Sequence, residues 1–310
     1  MDPTAKRDIL KVLLDLFCYF IFLIPLWVYN LLDVVPLTMN GFFCSDITIR
    51  FPYRNSTLSS TLLFVSGCGF MLITVLVVET LLFRRRCPMV HNSFFHPLVC
   101  NIYRAVGYAI VGGCINQFLT DIGKQSVGRM RPHFFDLCQP DVNCTDANQF
   151  LYITDYKCMR TSHPQIPQHN FHERMLDARK SFPSGHASFA FYMALYVVMY
   201  LEYRMTSQRT RLARHLVQTG VIAWAVWICC SRVFDFKHRF SDVLAGCLLG
   251  TLVAMGTVYA FFMSVQKTIP PKSIDVESNG DVGRTLRHAT TPINAGSSLT
   301  NLKDGDVSDH

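Results

Sequence analysis

Three short clusters in the sequence carry the cationic and imidazole side chains that bind and transfer phosphoryl groups. In chain order they are Lys124 with Arg131, then Ser184, Gly185 and His186, and then Arg232, His238 and Asp242. Ammonium and guanidinium groups complement the charge of a phosphate. An imidazole can act as a nucleophile or as a general acid and base. Together the clusters predict phosphoryl transfer by side chains alone, without a cofactor.

The first two clusters predict how a phosphate would be held. Lys124 and Arg131 are seven residues apart, so on a continuous helix they would share one face. Ser184 and Gly185 directly precede an apolar stretch, and the free N–H groups at a helix N-terminus can cradle an oxyanion. His186 would then stand beside that phosphate. The structural alternatives are basic side chains at a membrane edge and an ordinary capped helix.

The third cluster predicts the nucleophile. His238 and Asp242 are four residues apart, which places both on one face if a helix begins there. Asp242 would accept a hydrogen bond from one imidazole nitrogen and leave the other nitrogen free to attack. Arg232 can offer a bidentate contact to phosphate. The alternative for this cluster is an ion pair at a membrane interface.

Long apolar blocks must position these clusters. Of the 310 residues 50% are hydrophobic and only 16% are charged, so a lipid bilayer is the expected solvent. The six blocks are residues 10–32, 61–83, 97–122, 187–201, 216–230 and 243–265. Backbone polar groups in lipid must be satisfied within the chain, so we predict an all-α, polytopic membrane protein with six transmembrane helices.

Basic residues predict the orientation of these helices. Arginine clusters follow block two, at residues 84–86, and block four, at residues 204–214, and lysine and arginine also precede block one. Because such residues favour the cytoplasmic side, both termini and these two loops are expected there. The three clusters then meet at the non-cytoplasmic ends of helices 3 to 6. The same rule accounts for the net charge of +7, so no nucleic-acid partner is expected.

The loops expected on the non-cytoplasmic side carry further signals. Glycosylation sequons begin at Asn55 and Asn143. Four cysteines fall on this oxidising side, and their three possible pairings stay open or all four remain free thiols; they are Cys44, Cys138, Cys144 and Cys158.

The ends of the chain complete the predicted organisation. Residues 1–8 form a cytoplasmic N-terminus, residues 9–265 a six-helix membrane phosphatase domain, and residues 266–310 a disordered cytoplasmic tail rich in small polar residues. The first block is too long for a signal peptide and lacks a clear cleavage site, so we expect an uncleaved first span.

The three clusters match a known pattern at every position. Lys124 with six residues to Arg131-Pro132, then Pro183-Ser184-Gly185-His186, then Ser231-Arg232 with five residues to His238 and three more to Asp242, resembles the signature of the type 2 phosphatidic acid phosphatases. The outer-loop cysteines and the segment at residues 14–18 resemble the animal phospholipid phosphatases in particular.

This resemblance implies an activity and a role for each residue. His238 would form a phosphohistidine, Asp242 would orient it, and His186 would act as general acid and then base. The remaining five residues, Lys124, Arg131, Ser184, Gly185 and Arg232, would hold the phosphate. Substrates would be phosphatidate, lysophosphatidate, sphingosine 1-phosphate and ceramide 1-phosphate, without Mg²⁺ or another metal. The protein would form a homo-oligomer at the plasma membrane.

Three other functions are compatible with parts of the sequence. One is a catalytically inactive, lipid-binding relative, although such a protein would usually lack the nucleophile or its acid. Another is a transporter whose path is lined by Asn116, Gln117 and Asp121. The third is a phosphatase that acts on a soluble phosphate monoester. Gly246 and Gly250, four residues apart, fit either a contact between copies or internal packing.

Overall fold

The computed structural model describes residues 36–86, 97–145 and 148–266, with seven helical positions between residues 10 and 21. Its helices are α1 (Ser60–Arg86), α2 (Pro97–Val127), α3 (Phe134–Cys138), α4 (Phe171–Asp177), α5 (Gly185–Arg204), α6 (Arg211–Phe234) and α7 (Phe240–Gln266). Two short strands, β1 (Phe42–Phe43) and β2 (Tyr152–Ile153), pair antiparallel with Phe42 opposite Ile153. Apart from this small sheet and single 3₁₀ turns, the regular structure of the described residues is α-helical, as predicted.

Four of the described helices are long and apolar enough to cross a bilayer. These stretches are Ser60–Phe83, Leu98–Val127, Gln208–Phe234 and Phe240–Met263, which correspond to blocks two, three, five and six. Block four forms α5, which is not among them. Most of block one, the N-terminus and the tail after residue 266 lie outside the described residues. The number of six spans therefore stays a prediction.

Helix α5 differs from the other long helices because protein surrounds it. It packs against α1, α2, α6 and α7. The buried hydroxyls of Tyr192 and Tyr196 donate to backbone carbonyls of α2 at 2.6 Å, and the hydroxyl of Tyr200 donates to Glu79 of α1 at 2.6 Å. A phenol in an apolar interior needs such a partner. The tyrosines that make α5 less apolar therefore tie it to its neighbours.

Two glycines hold α7 directly against α5. A Cβ on Gly246 would lie 2.5 Å from the carbonyl oxygen of Ser184, and a Cβ on Gly250 would overlap the carbonyl of Ser188. Both glycines thus face α5 of the same chain, which favours internal packing over a contact between copies. The close approach places the first turn of α7 beside the N-terminus of α5.

The connecting segments build a second apolar core, separate from the core between the long helices. Its members include Phe42, Ile49, Phe134, Leu137 and Phe171. Two disulfides fasten these segments, Cys44–Cys144 and Cys138–Cys158. The structure thus selects one of the three pairings that the sequence left open.

We expect Gly246→Ala to lower both the melting temperature and the activity of the protein. The added methyl group must displace the Ser184 carbonyl, and overpacking of this kind costs about 1–3 kcal/mol. Gly256→Ala is the matched control, because nothing lies within 4 Å of its new Cβ. Thermal unfolding in detergent, followed by tryptophan fluorescence, should separate the two variants. Equal melting temperatures would contradict the close α5–α7 contact.

A buried ion pair clamps the other end of α5. Glu79, which is 2% exposed, receives hydrogen bonds from two nitrogens of Arg204. We expect Glu79→Ala to destabilise the protein by about 3–5 kcal/mol, because it leaves a largely buried guanidinium without its carboxylate. Glu202→Ala removes the exposed partner of Arg214 and should cost less than about 1 kcal/mol. The check is the fall in melting temperature of each variant. Similar falls would show that the buried Glu79–Arg204 ion pair contributes no more to stability than the exposed one.

Candidate active site

The first cluster is divided between a helix and the turn that follows it. Lys124 lies in the last turn of α2, but the helix ends before Arg131. Gly128 has φ +56°, a left-handed conformation typical of a helix end, and a Cβ there would overlap the carbonyl of Thr38. The prediction that Lys124 and Arg131 share a helical face is therefore wrong. Both side chains nevertheless line the same cavity.

In the third cluster, His238 also lies outside a helix, whereas Arg232 lies on α6 and Asp242 on the first turn of α7. Because α7 begins at Phe240, His238 belongs to the preceding turn, and the predicted shared face with Asp242 does not form. The Nδ1 atom of His238 lies 2.7 Å from the carbonyl oxygen of Ser181. A carbonyl only accepts, so Nδ1 carries the hydrogen and Nε2 keeps its lone pair.

Asp242 is linked to this histidine by hydrogen bonds through Ser181. The Ser181 hydroxyl donates to one carboxylate oxygen of Asp242 at 2.6 Å, while the Ser181 carbonyl receives the imidazole hydrogen. This relay replaces the direct His238–Asp242 hydrogen bond that the sequence predicted. The imidazole is oriented by a backbone carbonyl, and the carboxylate holds the residue that supplies it.

Asp242 also joins the three clusters. Arg129 donates to its second carboxylate oxygen at 2.7 Å, and the backbone N–H of Ser184 donates to its carbonyl at 3.0 Å. Sequence reasoning gave no role to Arg129 or Ser181. Arg129 stands in the first basic cluster of the sequence, between Lys124 and Arg131, whereas Ser181 has no signal beyond its position before the second cluster.

One cavity of about 810 Å³ receives most of the predicted residues. Those that line it are Lys124, Arg131, Gly185, His186, Arg232 and His238. Ser184 and Asp242 do not line the cavity; both are fully buried behind its wall. The fold therefore brings together six of the eight predicted catalytic and phosphate-binding residues and uses the other two as support.

Several buried polar atoms at this site have no partner among the described residues. They are Nε of Arg131, Oγ of Ser184 and Nε2 of His186. A buried donor or acceptor without a partner is costly, and two of these atoms belong to residues that line the cavity, Arg131 and His186, which indicates a site that binds a polar ligand. A Cβ on Gly185 would lie 3.2 Å from Nζ of Lys124, so the glycine gives the ammonium room at the N-terminus of α5.

The three signature cations are each held by a carboxylate. Lys124 contacts Asp121 at 3.3 Å, Arg131 contacts Asp177 at 2.7 Å, and Arg232 contacts Asp235 at 3.3 Å; these are the pairs that orient the side chains. Arg232 is the most enclosed of the three, since it is 1% exposed and also donates to the carbonyl of Leu58. Such fixed donors suit a planar or tetrahedral oxyanion.

Burial and neighbouring cations keep the imidazoles of His133 and His238 uncharged. Burial, with Arg131 nearby, lowers the pKa of His238 well below its ordinary value. Burial and the charge of Lys237 lower the pKa of His133 to about 3, and its Nδ1 donates to the carbonyl of Phe236 at 2.8 Å. A neutral His238 has the lone pair that a nucleophile requires. The surrounding positive charge favours an anionic ligand.

Part of the cavity wall is apolar. Leu63 and Phe64 of α1 and Phe189 of α5 line it, and the rings of Phe64 and Phe189 stack with centroids 5.8 Å apart. Phe64 is 59% exposed on a helix that is apolar enough to span a bilayer. The apolar part of the wall thus includes a side chain that also lies on the outer surface of α1.

The other predicted sites lie on the connecting segments. Asn55 and Asn143 are exposed, and Cys144, the middle residue of the second sequon, is in a disulfide. Within the described ranges no group of three or more His, Cys, Asp or Glu side chains is arranged to hold a metal ion.

Comparisons with known proteins identify relatives of this chain. Residues 103–266, which contain all three clusters, match the family model described as the PAP2 superfamily. Phospholipid phosphatase 1 of Rattus norvegicus is 37% identical over 220 residues, which cover 69% of this chain and 72% of the rat protein. Phospholipid phosphatase 2 of Homo sapiens is 33% identical over 271 residues, covering 86% and 88%.

One solved structure is also similar in part. The crystal structure of a transmembrane PAP2-type phosphatidylglycerolphosphate phosphatase from Bacillus subtilis covers 82% of this chain and 98% of its own, at 15% identity. The TM-score is 0.34, so no structural conclusion is drawn from it.

We expect Ser181→Ala to slow phosphate release about tenfold at saturating substrate, with KM within about twofold. The variant loses the hydroxyl that positions Asp242 but keeps the carbonyl that binds His238, and a hydrogen bond to a charged group contributes about 1.5–3 kcal/mol. Ser241→Ala is the control, since that neighbouring hydroxyl contacts only Arg129. If both variants retained the wild-type rate, the relay through Ser181 would have no catalytic importance.

Proposed function

This chain belongs to the PAP2 superfamily, and from that premise we propose that it is a lipid phosphate phosphatase whose reaction takes place in the cavity described above. The relatives named phospholipid phosphatase 1 and 2 support this activity. The observation that carries the proposal is the cavity itself, because its wall combines cationic and imidazole side chains with apolar ones, among them the exposed Phe64.

The proposed substrates are phosphatidate, lysophosphatidate, sphingosine 1-phosphate and ceramide 1-phosphate. All combine a phosphate monoester with an apolar chain. Leu63, Phe64 and Phe189 would contact the part of the lipid next to the headgroup, while the phosphate binds to the cationic side chains. A soluble phosphate monoester would contact only the cationic side chains, so the apolar part of the wall favours a lipid.

In the first proposed step Nε2 of His238 attacks phosphorus and the bond from phosphorus to the lipid oxygen breaks. The new P–N bond makes a phosphohistidine, and protonated His186 gives its proton to the departing lipid alkoxide. The carbonyl of Ser181, a residue held by Asp242, keeps accepting the hydrogen bond from Nδ1–H, so the proton stays on the imidazole as the ring becomes positive. The lipid leaves as an alcohol.

In the second proposed step water takes the place of the lipid. His186, now neutral, accepts a proton from the water as the water oxygen attacks phosphorus and the P–N bond breaks. Inorganic phosphate leaves and His238 is again neutral, while His186 regains its proton. Lys124, Arg131 and Arg232 would stabilise the negative charge of both transition states, which is the work that Mg²⁺ performs in many other phosphatases. The proposed reaction is therefore independent of Mg²⁺.

The remaining proposals concern topology and location. We place six spans within residues 9–265, both termini in the cytoplasm, including a disordered tail at 266–310, and the cavity on the opposite side of a plasma membrane. Exposed sequons at Asn55 and Asn143 and the two disulfides support that orientation, because glycans and disulfides form on the non-cytoplasmic side. A homo-oligomer is proposed from the family resemblance alone.

We expect His238→Ala to abolish phosphate release from phosphatidate in detergent with EDTA present, while expression and melting temperature stay close to wild type. The reason is that the variant lacks the only proposed nucleophile. His172→Ala, which changes an exposed histidine of the connecting segment, should keep full activity. Retained activity in His238→Ala would overturn the nucleophile assignment.

The same assay, run on intact cells, separates the competing functions. A lipid phosphatase facing outward releases phosphate from added lipid phosphates but not from sugar phosphates. Release from sugar phosphates alone would indicate a soluble substrate, and release from neither would indicate an inactive, lipid-binding relative.

A further inference from the structure

Lys237 lies in the cavity but outside the three-part signature. It immediately precedes the proposed nucleophile His238, lines the same cavity and is only 4% exposed. Its ammonium nitrogen sits 3.7 Å from the centroid of the Tyr53 ring. The preceding residue, Phe236, has φ +52°, a conformation rare for a bulky side chain, and its ring stacks on Phe51. The turn that presents Lys237 is thus fixed by packing.

Unlike the signature cations, Lys237 has no carboxylate partner. Lys124, Arg131 and Arg232 each contact an aspartate, whereas the Lys237 ammonium makes neither an ion pair nor a hydrogen bond with any described residue. Its one close neighbour is the face of Tyr53, which attracts a cation but offers no lone pair in that direction. A cation that lines a cavity without a carboxylate partner favours an anionic ligand there.

The charged and titratable groups around Lys237 come from five parts of the fold. Those that face it are Arg131 after α2, His133 before α3, Arg174 and Asp177 on α4, Asp235 after α6, and Tyr53 before α1. Burial lowers the pKa of Lys237 to about 7, with Arg131 and Arg174 acting in the same direction and the two aspartates against it. His133 adds no charge, since its own pKa is about 3.

We propose that Lys237 is a further catalytic residue, which donates a hydrogen bond to a non-bridging oxygen of the substrate's phosphoryl group. This inference rests on the proposed function and adds a fourth cation to it. The three hydrogens of the ammonium are free for such an acceptor, and a phosphate monoester dianion supplies the countercharge that the protein does not. Lys237 therefore forms an ion pair only when the phosphoryl group is bound.

This role predicts a particular pH dependence. In the free cavity Lys237 is mostly protonated below pH 7 and loses its proton as the pH rises through that value, so the affinity for a phosphoryl dianion falls above pH 7. An arginine at this position would stay charged throughout that range. The decline above pH 7 should therefore disappear when arginine or an uncharged residue replaces the lysine.

The competing explanation is that Lys237 only stabilises the turn by stacking on Tyr53. The charge and the packing can be separated with Lys237→Gln, which removes the charge, and Lys237→Arg, which keeps it. Lys157→Gln is the matched control, because it removes an exposed lysine of the connecting segment. Tyr53→Leu removes the ring but leaves the ammonium in the cavity.

The test measures kcat/KM for phosphatidate from pH 6 to 9 with the full chain in detergent. At pH 6.5 we expect Lys237→Gln to lose roughly 10- to 100-fold and Tyr53→Leu to lose less, because a charge-assisted hydrogen bond is about twice as strong as a neutral one. Lys157→Gln should match wild type. Above pH 7 the loss for Lys237→Gln relative to wild type should shrink, and Lys237→Arg should show no decline.

Two results would overturn the proposal: a kcat/KM of Lys237→Gln within twofold of wild type at pH 6.5, or an unchanged decline above pH 7 in that variant. A loss in Lys237→Gln that Tyr53→Leu reproduces in full, with the same fall in melting temperature, would also overturn it in favour of a structural role.

A binding measurement keeps this test separate from the proposed activity. Orthovanadate, which imitates a phosphoryl group, should stabilise wild type against thermal unfolding at lower concentration than it stabilises Lys237→Gln at pH 6.5, with nearly equal concentrations at pH 9. If wild type hydrolyses no lipid phosphate but shows this difference, the proposed function fails and the anion contact of Lys237 stands. Equal concentrations for both proteins at pH 6.5 would overturn the contact itself.

Discussion

The site depends on one buried carboxylate, that of Asp242. A fully buried charge is stable only when ionic partners and hydrogen bonds surround it, and those of Asp242 come from distant parts of the chain. Arg129 reaches it from the turn after α2, the Ser181 hydroxyl from the segment before α5, and the Arg239 N–H from the turn before α7. Satisfying this one charge helps to fix the relative positions of three segments, together with backbone hydrogen bonds such as that from Ser181 to Arg129.

A second constraint comes from the expected solvent. In a bilayer, apolar side chains gain little from leaving the lipid, so helices associate through close backbone contact and interhelical hydrogen bonds. Helix α5 shows both effects, with Gly246 and Gly250 of α7 against one side and tyrosine hydroxyls bonded to α1 and α2 on another. This packing fixes the position of the α5 N-terminus, where Ser184 and His186 lie, relative to the turn that carries His238.

The electrostatics of the cavity follow from these contacts. Aspartates orient three of its cations, whereas Lys237 is buried without an aspartate partner. Burial and the nearby Arg131 keep the imidazole of His238 neutral. Positive charge therefore exceeds negative charge where the proposed phosphoryl group binds, while the proposed nucleophile keeps its lone pair. The cations that attract the proposed substrate, Arg131 among them, therefore also keep the histidine unprotonated and reactive.

The sequence by itself determined the residue types of the site, their order, the all-helical class and the family, because signature spacings and apolar blocks are local properties. It failed where a helix ends: both arguments from a shared helical face were wrong, since Gly128 stops α2 before Arg131 and α7 starts after His238. It also left the cysteine pairing open and gave no role to Arg129, Ser181 or Lys237. Those features were decided by the tertiary structure, because the partner of a buried charge, thiol or imidazole is whichever distant segment the packing brings beside it, and periodicity along the chain carries no record of that neighbour.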